Sequence, residues 1–363
     1  MKSKHWLAAF VALAAASLAG SEEWRVVTAP LSLVFPRDLG AHPDYRTEWW
    51  YATGLVADPT GRRFGYQLTF FRQGLHSHPA PSGTSEFLPR QALAAHLAVA
   101  DLRSSRLHHA QRLRRAAAGL AGFSEEDLHV WLEDWELRRS AGDVFVLAAA
   151  DRTVGVAVQL RLTPTRPLTR HGQGGISRKG DEPGNASAYL SWTRLATTGT
   201  LKVGKQTFPV SGESWFDHEW GSTQLGADVV GWDWLGVRLA DGRDLMVYRL
   251  RRADGRASRH SAGTVIHPDG STEALQAVDV ELHPLSRWTS RRTGATYPAR
   301  LRLRIPRADL DLEIVPLLAD AEIDGRASSG VVYWEGPVRL SGSTSGEGYM
   351  ELTGYAFPLT GRF

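Results

Sequence analysis

Short runs rich in Val, Leu, Thr, Trp and Tyr, separated by turn chemistry, fill most of the chain. Runs of this kind bounded by Gly, Pro, Asn and Asp predict strands. Glu48–Asp58 and Phe64–Gln73 flank Pro59-Thr60-Gly61, while Trp234–Ala240 and Arg243–Arg251 flank Asp241-Gly242. Asp-Gly suits the positive φ angles of a tight hairpin. Val265-Ile266 and Glu273–Gln276 flank His267-Pro268-Asp269-Gly270, and Val331–Ser341 and Glu347–Tyr355 flank a Gly/Ser/Thr turn. Helical periodicity is confined to Pro89–Ala98, which runs into a strand at His96–Asp101. A glycine-rich loop, His171–Asn185, interrupts the first half before strand pattern resumes at Ala188–Arg194. The whole predicts an all-β chain of antiparallel meanders, closed as barrels or sandwiches.

The N-terminus has a different logic. Lys2, Lys4 and His5 precede an apolar run from Trp6 to Leu18, and Ser17-Leu18-Ala19 offers a cleavage signal. The run is shorter than the roughly 20 residues a spanning helix needs, so residues 1–19 read as a signal peptide. Leu18-Ala19-Gly20 resembles a lipoprotein box, but Ser21 stands where a lipidated Cys would be, which rules out a lipid anchor there. The remaining length of a 363-residue chain suits two domains, placed at 22–215 and 216–363.

Charge and composition remove several functions. Lys+Arg is 42 against Asp+Glu 39, a balance with no footprint for nucleic acid. There is no cysteine, so disulfides, thiolate metal sites and Cys nucleophiles are excluded. His76-x-His78 and His108-His109 lack the spaced partners of a metal site, and no nucleophile elbow occurs. The 13 tryptophans point to aromatic surfaces, in a core or around a ligand.

Polar groups concentrate among those aromatics in Arg46–Tyr51, Ser214–Trp220, Gly231–Trp234 and Tyr333–Glu335. Neighbours in a strand face opposite sides, so His218 and Trp220 share one face and Asp217 and Glu219 the other. Trp232 and Trp234 likewise point together, opposite Asp233. One reading is a cavity where desolvation keeps a carboxyl protonated for acid catalysis, with indole faces stabilising a cation. The other is a set of structural ion pairs such as Arg46–Glu48 or Arg238–Asp233, which look the same in sequence.

Longer blocks carry a resemblance: His42-Pro43-Asp44-Tyr45-Arg46-Thr47-Glu48-Trp49-Trp50-Tyr51, Ser177-Arg178-Lys179-Gly180, Ser214-Trp215-Phe216-Asp217-His218-Glu219-Trp220-Gly221, Gly231-Trp232-Asp233-Trp234 and Tyr333-Trp334-Glu335-Gly336. Together they resemble the lipocalin-like family that includes AttH-type predicted secreted hydrolases and carotenoid 1,2-hydratases. The resemblance implies a pair of tandem lipocalin-like antiparallel β-barrels packed together around a hydrophobic ligand. In its hydratase branch an aspartic acid protonates an isoprenoid double bond and water adds to the cation, without cofactor or metal. His218-x-Trp220 matches that branch's active-site spacing, Asp233 is the candidate acid, and Asp217 is the reserve. Trp220, Trp232, Trp234, Glu48, Trp50, Tyr51 and Trp334 are the candidate ligand-binding residues.

Glu219 and the signal peptide instead resemble the exported branch, whose hydrolase label finds no nucleophile here. Three readings follow. The chain is an exported acid-catalysed hydratase or lyase acting on a hydrophobic molecule, a periplasmic lipid or small-molecule carrier linked to an ABC exporter, or a secreted hydrolase.

Overall fold

The computed structural model describes residues 24–29, 31–77 and 90–360; the signal peptide expected at 1–19, and His78, lie outside them. The fold is almost entirely antiparallel sheet. A 13-stranded sheet forms a nearly closed first barrel, and a 10-stranded sheet forms a second, half-closed one. All the hairpins expected from the turn chemistry are present: Thr47–Ala57 pairs with Arg63–Gly74, Val229–Leu239 with Asp244–Arg252, Ala262–Ile266 with Thr272–Gln276, and Val331–Gly342 with Gly346–Thr353.

The helix expected over Pro89–Ala98 is instead the first part of a strand, Gln91–Asp101, paired on both sides, and the strand expected at His96–Asp101 is its continuation; Pro89 lies outside the described residues. Its alternate residues Leu93, Ala95, Leu97 and Val99 enter the first barrel's core, while Ala98 and Ala100 pack against the second barrel. A strand buried on both faces shows no period-2 alternation, and alanines compound the ambiguity.

The strand Gln206–Gly221 lies between Thr47–Ala57 and Ala186–Val203 in the first sheet. The position 215/216 falls inside it, and the second sheet begins at Val229. One face of each central strand fills a barrel. Trp50, Ala52, Phe70 and Phe216 belong to the first core, and Leu235, Val237, Trp334, Met350 and Leu352 to the second. The other faces meet at a seam where Tyr51, Tyr189, Trp215, Trp234, Tyr248 and Tyr349 form one aromatic cluster. Glycines permit the close approach: a Cβ on Gly65 would clash with the Tyr349 hydroxyl across the seam, and one on Gly236 would strike the Trp234 ring.

Candidate functional site

Strand alternation distributes the sequence-derived candidates among three places. Glu48, Trp50, His218 and Trp220 lie at one end of the first barrel. Asp233 and Trp334 face the interior of the second. Asp217, Tyr51, Trp232 and Trp234 face the seam. His218 and Asp233, paired in the expected mechanism, are therefore not brought together.

At the end of the first barrel, Glu48 lies opposite Trp220 in register, and Trp50 opposite His218. The Glu48 Oε1 meets His218 Nε2 at 2.9 Å and His42 Nδ1 at 2.8 Å, while Oε2 accepts from Arg72 Nε at 2.8 Å and the His42 backbone N–H at 2.9 Å. His42 stacks on Trp220 with ring centroids 3.8 Å apart. Burial works to raise the Glu48 pKa, but the Arg72 charge, His42 and the His218 hydrogen bond hold it well below the usual range. His42, Glu48 and His218 are also the group of ligating atoms closest to a metal geometry among the described residues, all within 4.8 Å. Their own hydrogen bonds and Arg72 already satisfy the carboxylate. This is a compensated network.

In the second barrel Asp233 Oδ1 accepts from Arg251 Nε at 3.1 Å and Tyr355 Oη at 2.8 Å. Burial raises its pKa, and Arg251 opposes that. The space beside it among Leu235, Leu282 and Met350 is about 10 Å³, room for one water at most. A larger cavity of about 330 Å³ opens at the unclosed flank of this barrel, along Ala262, Val280 and Leu282.

The seam is different. Asp217 is buried, and its oxygens accept from Trp215 Nε1 at 2.6 Å, Tyr189 Oη at 2.8 Å and the Ser191 hydroxyl. Trp234 Nε1 donates to the same Tyr189 oxygen at 2.8 Å. Burial raises the Asp217 carboxyl to about 7 despite those donors. Across the seam Glu335 lies directly opposite Glu351 on neighbouring strands. Burial, then the Glu351 charge, lifts Glu335 well above the usual carboxyl range, and burial lifts Glu351 to about 6. Trp232 Nε1 and Thr353 Oγ1 donate to Glu351 Oε1 at 3.1 and 2.5 Å.

Ion pairing separates these acids from the rest. Glu48, Asp233 and Asp244 each meet an arginine at 3.1 Å or less. Asp38, Asp101 and Glu322 also have an arginine within 4.0 Å, and Glu219 pairs with Lys179. Asp217, Glu335 and Glu351 have no ion pair among the described residues. Burial without a paired cation favours the protonated form, most strongly in Glu335, less in Asp217 and least in Glu351, whose charge helps to keep Glu335 neutral.

The ion pairs weighed from sequence have other partners here: Arg72 rather than Arg46 meets Glu48, and Arg251 rather than Arg238 meets Asp233. Several seam residues were not among the candidate site residues expected from the sequence. Lys179, in the glycine-rich loop, lies near the rings of Trp49, Tyr189 and Tyr248, and burial lowers its pKa to about 7. The loop folds along Ala186–Val203 through Thr169–Arg170 and Ile176–Arg178, which explains how polar residues within it become buried. Gln67 carried no signal beyond alternating with apolar neighbours, and Glu351 stands in a block, Glu351–Tyr355, that resembles the family without marking it as a site residue. Tyr189-x-Ser191, aligned opposite Glu219 and Asp217, was legible only once the register was known.

The AttH-like family profile matches residues 26–355. Among solved structures, a candidate AttH from Nitrosomonas europaea is 36% identical, with a TM-score of 0.81 over 90% of this chain and 99% of that one. Kievitone hydratase from Nectria haematococca is 14% identical at TM-score 0.68, covering 93% and 97%. CghA in complex with Sch210972 is 12% identical at 0.52, covering the same shares. These last similarities concern the fold. No curated protein matches the chain. The chain belongs to the AttH-like family.

Proposed function

We propose that this AttH-like chain binds an apolar small molecule at the seam and adds water across one of its carbon–carbon double bonds, with Asp217 as the acid. The observation that carries the reading is a buried carboxyl, raised to about 7 and without an ion pair, set against Trp215, Tyr189 and Trp234. Asp217 gives its proton to one alkene carbon, and the π electrons form the new C–H bond. The cation left on the other carbon is stabilised by the faces of Trp215 and Trp234. Water then forms the C–O bond, and its surplus proton returns to the Asp217 carboxylate. No cofactor enters this balance. Asp233 fits the role less well, because Arg251 compensates its charge and it faces away from Trp232 and Trp234. The seam is packed in this state, so ligand entry requires the barrels to part, the usual motion between domains. The hydratase-type fold of kievitone hydratase is compatible with this chemistry.

The second reading is carriage without chemistry, linked to an ABC exporter and favoured by the 330 Å³ cavity at the second barrel's open flank. Export itself is part of the proposal and rests on the Lys2-to-Ala19 pattern; fractionation showing an unprocessed protein in the cytoplasm would overturn it. The reaction is tested by extracting the molecule that co-purifies with the protein and incubating it with enzyme in deuterium oxide. Deuterium on carbon that disappears in Asp217→Asn and persists in Asp233→Asn supports the reading. A bound molecule that gains no deuterium supports carriage instead.

A further inference from the structure

Five buried side-chain atoms have no hydrogen-bond partner among the described residues: Tyr51 Oη, Gln67 Oε1, Glu335 Oε1, His109 Nε2 and His218 Nδ1. The first three are neighbours on one surface. Tyr51 and Thr53 share a face of their strand, Gln67 lies opposite Thr53 in register, and Glu335 reaches Tyr51 from the second barrel without completing a hydrogen bond. Tyr333 joins them, with its hydroxyl 3.5 Å from Gln67 Nε2 and its ring two residues from Glu335 on the same strand face. Leaving such atoms unpaired costs a folded protein about 1–3 kcal/mol each. Orphans gathered at one place therefore mark a site for something that pairs them.

A directional relay sets the polarity of the group. Burial keeps His96 neutral, with its pKa near 3. His96 Nδ1 meets Tyr333 Oη at 2.7 Å and Nε2 meets Ser328 Oγ at 2.8 Å, and Ser328 donates to Gln111 Oε1 at 2.5 Å. The consistent assignment runs from the Gln67 amide N–H to Tyr333, from the Tyr333 O–H to His96 Nδ1, and from the His96 Nε2–H to Ser328. The Gln67 amide also donates to Thr69 Oγ1 at 2.6 Å. Both amide hydrogens are then committed, and the Gln67 carbonyl is left as an acceptor. Tyr51 offers an O–H donor. Glu335, uncharged beside Glu351, offers a second.

We propose that Tyr51, Gln67 and Glu335 form a subsite for the hydroxyl group of an uncharged, otherwise apolar ligand. A hydroxyl donates once and accepts twice, the complement of one acceptor and two donors. The surrounding Tyr333 and Tyr349 rings and the lack of an ion-paired cation there among the described residues disfavour a carboxylate or phosphate in that place. The inference rests on the seam reading and extends it: the subsite takes the water that is added, and then the alcohol that water becomes.

The test uses the full chain and a matched pair of probes, dihydromyrcene and its hydration product dihydromyrcenol, with binding followed by tryptophan fluorescence. The expected result is about tenfold tighter binding of the alcohol, a margin one to two hydrogen bonds supply. In Tyr51→Phe/Gln67→Leu the ratio falls to about one while the hydrocarbon keeps its affinity. Equal binding of both probes to the unsubstituted protein, or a preference that survives the double substitution, overturns the subsite and leaves the seam reading standing. Binding of neither probe overturns the seam reading, and the subsite with it. In the ligand-free protein, Tyr51→Phe keeps or raises Tm, because it removes an unpaired group. A fall of several degrees would show that the hydroxyl is already paired within the protein and would overturn the subsite alone.

Discussion

Glu48 and Glu335 are both buried glutamates on central strands, each with an opposed residue that matters to it, yet the protein treats them in opposite ways. Glu48 lies opposite Trp220 and accepts from Arg72, His42 and His218, which hold it ionised. Glu335 lies opposite another glutamate with no ion pair, and burial holds it protonated. The end of the first barrel is a structural network whose charges cancel. The seam is a region where three acids lack an ion pair, and of these Glu335, held protonated, and Asp217, raised to about 7, can donate protons. A histidine among tryptophans is therefore a poorer guide to chemistry than a carboxyl without a cation.

The largest expected effect comes from disturbing the compensated region. Arg72→Met leaves Glu48 buried with its main cation gone and should cost about 3–5 kcal/mol, measured by urea unfolding. A cost below about 1 kcal/mol would mean that the network is not charge-balanced as described.

The next effect distinguishes the regions by the sign of their pH dependence. Native Asp217 keeps its proton up to about 7, whereas the unfolded chain releases it near 3.8. Between these values the native state binds more protons, so this group's stability contribution is complete below about pH 4 and is lost as pH rises toward 7. Asp217→Asn should flatten that decline, worth a few kcal/mol in full. Glu48 has the opposite sign: its contribution is present above the unfolded value of 4.5 and is lost as pH falls through the depressed native one. A variant series in which both regions slope the same way would break the comparison.

The smallest effect is Glu335→Gln, expected to leave stability within about 1 kcal/mol of the parent or to raise it, because no ion pair is broken. A loss as large as that of Arg72→Met would place a counter-charge near Glu335.

Much of this was legible in the sequence, for a simple reason. Period-2 alternation separates His218 and Trp220 from Asp217 and Glu219, and Asp233 from Trp232 and Trp234, without any knowledge of the fold. The Asp241-Gly242 and Pro268-Asp269-Gly270 turns located their hairpins. What alternation does not supply is the identity of the opposing surface. Arg72 reaches Glu48 from the neighbouring strand, Arg251 reaches Asp233 the same way, and Glu335 meets Tyr51 from the other barrel. Charge partners set by register and by packing between barrels are not adjacent in sequence, so nearby arginines such as Arg46 and Arg238 drew the attention. The first half of Gln91–Asp101 carries a helix-like pattern because both faces of the strand are buried, while its second half, His96–Asp101, is legible as a strand.

The central claim is that Glu335, and in part Asp217, hold a proton at neutral pH, and difference infrared spectroscopy reads that directly. In the difference spectra between the parent protein and Asp217→Asn, and separately Glu335→Gln, at neutral pH, the carbonyl stretch of a protonated carboxyl should appear as a band lost on substitution. For Glu335 that loss should be complete, and for Asp217, poised near 7, partial and growing as the pH is lowered. Loss of a carboxylate band alone in both difference spectra would show that the seam acids are ionised, and the account built on them would be wrong.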